Sequence, residues 1–163
     1  MNAPHPPVEP VPLPAGAAAL HPLLMRLVQQ TGAALLAPDT FDAWARQNGV
    51  AMVVFAEDPE RFKETLDLAI VVPELHAAHG GAFRVALLPP ATARALAPRY
   101  GFARWPAFVM LRDGQYLGAV DGIRDWDVYL AEVQRLLAAA PTRAPSVGIA
   151  VLAAEAASQP SCH

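Results

Sequence analysis

Between residues 18 and 140, short continuous apolar runs alternate with segments whose apolar positions recur every three or four residues. In residues 18–30, Leu20, Leu23, Leu24, Leu27 and Val28 share one helical face, and Pro22 suits a first turn. Thr31-Gly32 ends that helix. Ala33 to Ala37 predicts a short strand. Pro38-Asp39-Thr40 then starts a helix with Phe41, Trp44 and Ala45 inward, stopped by Asn48-Gly49. Val50 to Phe55 is apolar without a break, as a strand buried on both faces requires. Residues 67–79 carry two signals. Leu68-Ala69-Ile70-Val71-Val72 favours a strand by local propensity, and Pro73 interrupts a regular helix. The alternation of elements on either side predicts a kinked helix instead. Ala82 to Leu88 reads as a strand, and Ala91 to Arg99 as a short helix.

Residues 101–122 organise the second half. Pro106 opens the apolar run Ala107 to Leu111, since the first position of a strand need not donate to the ladder. An X-Pro bond at such a corner is a place where a cis bond is kept. Asp113-Gly114 is a hairpin turn signal, and Gln115 to Val120 is the returning strand. After Asp121-Gly122, Asp125 stands at the cap of a helix with Trp126, Tyr129, Leu130, Val133, Leu136 and Leu137 inward. The order is βαβαβαββα after an extra N-terminal helix. That implies an α/β fold: a mixed central sheet with helices on both faces. The succession proline, strand, turn, strand, glycine, helix resembles the C-terminal half of a thioredoxin-like three-layer sandwich.

Composition adds the boundaries. The chain has 163 residues, 54% of them hydrophobic, with a net charge of -3. One domain with tails fits that length, and nothing is basic enough to point to nucleic acid. Six prolines within residues 1–14 predict a disordered tail over 1–17. A globular domain follows over 18–140, then a flexible Ala- and Pro-rich tail over 141–163. That tail contains the apolar piece Val147 to Ala157, too short to span a bilayer. The start lacks a basic n-region and an apolar h-region, so a soluble, cytoplasmic protein without stable membrane insertion is expected.

The span from about Leu20 to Ala139 resembles the hydrogenase expression/formation proteins of the HyaE/HupG type. The resemblance rests on Phe102-Ala103-Arg104-Trp105-Pro106-Ala107, then Asp113-Gly114-Gln115-Tyr116-Leu117-Gly118, then Gly122-Ile123-Arg124-Asp125-Trp126, in the family's order and spacing. It implies a thioredoxin-like fold without the redox cysteines and with no cofactor. It further implies an assembly chaperone, not an enzyme, for a membrane-bound [NiFe] hydrogenase. Such a chaperone binds the small-subunit precursor with its twin-arginine signal peptide, and other maturation proteins are further candidate partners. The rival functions are an adaptor for another client and a redox protein using Cys162.

The residues themselves support part of this. In a thioredoxin-like enzyme the cysteines sit where the second core strand turns into a helix, because the helix N-terminus lowers a thiol's pKa. Here that turn is 56–66 and holds no cysteine, and the one cysteine, Cys162, lies in the tail. The turn is instead acidic: Glu57, Asp58, Glu60, Glu64 and Asp67 against Arg61 and Lys63. One reading is a solvated helix start, where carboxylates suit the dipole. The other is a rim for a basic peptide, since carboxylates pair bidentately with arginine. Arg94, Arg99, Arg104 and Arg112 form a contrasting basic series, and Arg104 is placed to pair with Asp58 or Glu57. Phe102, Trp105 and the Pro106 edge are candidate apolar contacts, with Trp105 the better exposed tryptophan and Trp126 a core residue by spacing. His76 and His79, three apart, make a weak metal signal. The candidate partner-binding set is therefore Glu57, Asp58, Glu60, Glu64, Phe102, Arg104, Trp105 and Pro106, with no catalytic or metal-ligating residue.

Overall fold

The computed structural model describes residues 20–145. The expectations for residues 1–17, for Val147 to Ala157 and for Cys162 lie outside that range. The element order is α1 (Pro22–Thr31), β1 (Ala34–Leu35), α2 (Pro38–Ala45), β2 (Val50–Phe55), α3 (Glu64–Ala78), β3 (Arg84–Leu88), α4 (Pro90–Leu96), a 3₁₀ turn (Ala97–Arg99), β4 (Ala107–Arg112), β5 (Gln115–Asp121) and α5 (Trp126–Ala138). This is the expected alternation. The sheet runs β1-β3-β2-β4-β5. β3 is parallel to β1 and β2, β4 is antiparallel to β2, and β5 is antiparallel to β4.

Strand alternation sends side chains into two cores. Met52, Val54, Val85, Leu87, Phe108 and Met110 face α1, α3 and α5. Val53, Phe55, Ala86, Leu88, Val109 and Leu111 face α2 and α4. The three inner strands are covered on both faces, so their sequences are continuously apolar. α3 is helical despite the strand-like Leu68 to Val72. Leu68, Val72 and Leu75 recur at helical spacing and are buried, and tertiary burial outweighs local propensity. Pro73 lies inside α3.

The hairpin is built by two local devices. Asp113 and Gly114 adopt φ of 52° and 82°, the left-handed pair a tight two-residue turn needs. Asp113 Oδ1 also accepts from Gly49 N at 2.7 Å, tying this turn to the loop before β2. Between Met110 and Leu111 the β4–β5 register slips by one residue. This bulge puts Leu117 and Gly118 on the same side, where a Cβ on Gly118 would run into the buried Leu136 side chain.

Two details differ from the expectations. Trp126 shares the side of Tyr129 and Val133, but no element among the described residues covers it at the start of α5, and it stays 41% exposed. Asp125 stands at the N-cap position but makes no side-chain cap bond. In addition, the packed chain does not end at 140. Arg112 donates to the carbonyls of Leu137 and Ala139, both at 2.6 Å, and Thr142 N donates to Tyr116 O at 2.8 Å.

Candidate functional site

β2 and β4 end side by side. Phe55 is the register partner of Ala107, so the connection starting at Ala56 and the loop ending at Pro106 are neighbours. The Trp105–Pro106 bond is cis. Pro106 is buried, and its carbonyl accepts from Gly122 N at 2.8 Å.

Asp121, at the end of β5, fixes the loop before Pro106. Its Oδ2 accepts from Ala103 N at 2.9 Å and Arg104 N at 3.1 Å, and its Oδ1 meets Arg124 Nη2 at 3.2 Å. Burial disfavours the ionised carboxylate, but the two amide donors and the Arg124 guanidinium outweigh it. They hold the Asp121 carboxyl below its ordinary value. Sequence reading saw only a turn in Asp121-Gly122; the bonds it makes come from a loop 17 and 18 residues away.

The 56–63 connection is only partly a rim. Glu57 is 5% exposed. Its Oε1 lies 2.6 Å from Arg94 Nη1 and accepts from Asp58 N at 2.9 Å. Its partner is therefore Arg94 on α4, not Arg104. The Arg104 backbone is turned toward Asp121, and its side chain lies against Gly122. Asp58 is half-buried. Its Oδ1 accepts from Glu60 N at 3.0 Å, and its carbonyl accepts from Arg61 N and Phe62 N. Glu60, Arg61, Lys63, Glu64 and Asp67 face solvent. The rest of the basic series is also engaged: Arg99 with Asp42 at 2.7 Å, and Arg112 with the end of α5.

Phe102 and Trp105 are half-buried and form an aromatic wall with Phe55. Ring centroids stand 5.0 Å apart for Phe55–Phe102, 5.1 Å for Phe102–Trp105 and 6.4 Å for Phe55–Trp105, all edge-to-face. Two depressions flank Arg94. One, of about 410 Å³, is lined by Leu20, His21 and Leu24 before and on α1, by Asp58, Pro59 and Arg61, and by Pro89 to Ala91. The other, of about 310 Å³, is lined by Ala97, Pro98, Gly101, Phe102 and Trp105. The structure thus brings Asp58, Phe102, Trp105 and Pro106 to one end of the sheet and leaves Glu60 and Glu64 at its margin. Arg94, expected only as one of a basic series, and Leu20 and Leu24, expected only on a helical face, were not placed at the site by sequence, since only the path of α1 and α4 brings them there.

Among the described residues no thiol stands at this end of the sheet, and the β2–α3 connection carries carboxylates where a thioredoxin-like enzyme has its cysteines. His76 and His79 pack on Phe83, with ring centroids 5.4 and 6.2 Å away, and His79 Nδ1 lies 2.9 Å from Leu75 O. What the site offers is concave, largely apolar surface with a charged border.

Comparisons with known proteins agree with this geometry. A mutant thioredoxin of Halobacterium salinarum NRC-1 superposes with a TM-score of 0.53 at 24% identity, over 67% of this chain and 93% of its own. The hydrogenase expression/formation protein HoxO of Cupriavidus necator is 41% identical over 147 residues, 89% of this chain and 90% of the relative. HoxO of Azotobacter vinelandii is 38% identical over 143 residues, 88% of this chain and 94% of the relative. Residues 23–129 match the family described as hydrogenase-1 expression protein HyaE. A thioredoxin-like domain with an acidic, cysteine-free β2–α3 connection, this chain belongs to the HyaE family of hydrogenase expression proteins.

Proposed function

We propose that the protein serves hydrogenase maturation as a non-catalytic assembly chaperone. In this reading it holds the small-subunit precursor of a membrane-bound [NiFe] hydrogenase by its twin-arginine signal peptide. The observation that carries this is the pair of open depressions sharing Arg94, one bordered by Asp58 and the other walled by Phe102 and Trp105. Asp58, Glu60 and Glu64 meet the arginines. Glu57 does not, because Arg94 already occupies it. The apolar h-region lies against Phe102 and Trp105. Each exposed ion pair contributes only about 0–1 kcal/mol. Covering a further ~100 Å² of apolar surface contributes about 2.5 kcal/mol at 25 cal/mol per Å², so the aromatic wall dominates the affinity.

Titration of the purified protein against the precursor, with and without its signal peptide, at low and high salt, tests this. Trp105→Ala should weaken binding with its salt dependence intact. Asp58→Lys with Glu60→Lys should weaken it and flatten the salt dependence. Equal binding of the mature subunit, with no response to either variant, would place the client contact elsewhere.

A further inference from the structure

After α5 the chain stays on the body of the protein. Arg112 holds the carbonyls of Leu137 and Ala139, and Thr142 N donates to Tyr116 O on the outer strand β5. At Pro145 the chain lies against Gly101, which has φ of +61° and where a Cβ would collide with the Pro145 carbonyl. Gly101 also lines the Phe102–Trp105 depression. Residues 139–145 therefore carry the chain around the sheet edge and deliver it at the lip of that depression.

The next residues match the apolar wall of the depression in character, and part of such a run can seat in it. After Ser146 come Val147-Gly148-Ile149-Ala150-Val151-Leu152-Ala153-Ala154, eight residues without a charge until Glu155. This is the length and character of a signal-peptide h-region, about 7–15 apolar residues. We propose that residues 147–154 dock intramolecularly against Ala97, Pro98, Gly101, Phe102 and Trp105, as a built-in competitor for an apolar client segment. The reach is sufficient. Four extended residues beyond Pro145 span about 13 Å, whereas a depression of about 310 Å³ is roughly 7 Å across. Arg94, half exposed on the same rim, has guanidinium donors beyond the one on Glu57 to receive Glu155 just past the run. The docking stands apart from the signal-peptide reading; the competition rests on it. A short tether gives an effective concentration of about 1 mM, so a segment that binds with a dissociation constant of ~0.1 mM lowers client affinity about tenfold.

The full chain carrying Ala154→Cys and Cys162→Ser, spin-labelled at residue 154, tests the docking by NMR. The expected result is broadening of the Ala97, Gly101, Phe102 and Trp105 amides and the Trp105 indole, removed by adding Ile149→Asp and Leu152→Asp. Broadening centred on another surface, or unchanged by the aspartates, overturns the proposal. So does broadening that passes from spin-labelled to isotope-labelled molecules in a mixed sample, which would make the occupant a second copy. A synthetic peptide with two arginines followed by a Leu/Ala run tests the competition. The Ile149→Asp/Leu152→Asp chain should bind it about tenfold tighter than the unmodified chain. Equal binding alongside a positive spin-label result overturns the competition and moves the client site out of this depression, leaving the docking in place.

Discussion

Replacing Arg94 by methionine, alone and with changes at Glu57, isolates the pair that ties the β2–α3 connection to α4. The Glu57 side chain is 7% exposed and the Arg94 side chain 51%. With Arg94 removed, the carboxylate retains, among the described residues, the Asp58 N–H alone as a partner. Breaking a fully buried pair costs about 3–5 kcal/mol. Here the Arg94 side chain is half exposed, so water can reach the vacated position and about 2 kcal/mol is the better expectation. For a domain of this size that lowers Tm by about 6–10 °C. Glu57→Leu combined with Arg94→Met removes both charges and fills the site with apolar atoms, so it should recover most of the loss. The double-mutant cycle, read by urea and thermal unfolding of the full chain, should give a coupling energy of about 1–2 kcal/mol. A loss under ~0.5 kcal/mol for Arg94→Met together with no coupling would mean the pair does not hold this end of the sheet, against the range expected for a buried carboxylate.

Gly118→Ala drives a methyl into the buried Leu136 side chain at the β5 bulge and should cost about 1–3 kcal/mol in urea unfolding. In a Leu136→Ala background the same change should cost far less, because the obstructing atoms are gone. Asp121→Asn keeps the shape but loses the charge on the acceptor of Ala103 N and Arg104 N, and should cost about 1–2 kcal/mol at neutral pH. The Asp121 carboxyl is depressed, so its contribution is present above the ordinary value of 3.8 and is lost as pH falls through the lower folded value. The gap between the two proteins should therefore close at the acid end of a pH series of unfolding midpoints, and a constant gap would contradict the assignment. Tyr129→Phe removes a buried hydroxyl that donates to Gly122 O at 3.1 Å and should cost about 1 kcal/mol in thermal melts.

The inner strands were legible because burial on both faces leaves polar residues only at their ends, Arg84 and Arg112: Val50 to Phe55 and Ala107 to Leu111 could hardly be anything else. α3 was legible only through its neighbours, since Leu68 to Val72 by itself favours a strand. The misplacement of Trp126 shows what spacing omits. Periodicity gives the side of a helix on which a residue lies, not whether another element covers that turn. Glu57 shows the same limit for charge. Among five acids in eleven residues nothing local marks it as the buried one, and its partner is 37 residues away. Residues 141–145 read as the start of a flexible Ala- and Pro-rich tail because the packing past α5 is made through main-chain carbonyls and one amide, which leave no trace in side-chain pattern.

These placements change what the acidic connection can contribute to recognition. With Glu57 turned inward onto Arg94, the five acids of residues 57–67 set against Arg61, Lys63 and Arg94 leave a net of two negative charges. Those charges sit on exposed side chains, where a screening length of about 8 Å at physiological salt confines them to close encounters. Under the proposed function, charge at this end of the sheet would therefore orient a basic segment more than hold one. In the proposed function the holding falls to Phe102 and Trp105, already fixed edge-to-face against Phe55 and so presented with little rotamer freedom left to lose. The half-exposed Glu57–Arg94 pair then has a positional role, because it ties the connection bearing Asp58 to Arg94, which lines both depressions. If the protein works as proposed, a client is selected by the spacing between its basic residues and its apolar run, and lengthening that spacer should weaken binding more than replacing one arginine by lysine.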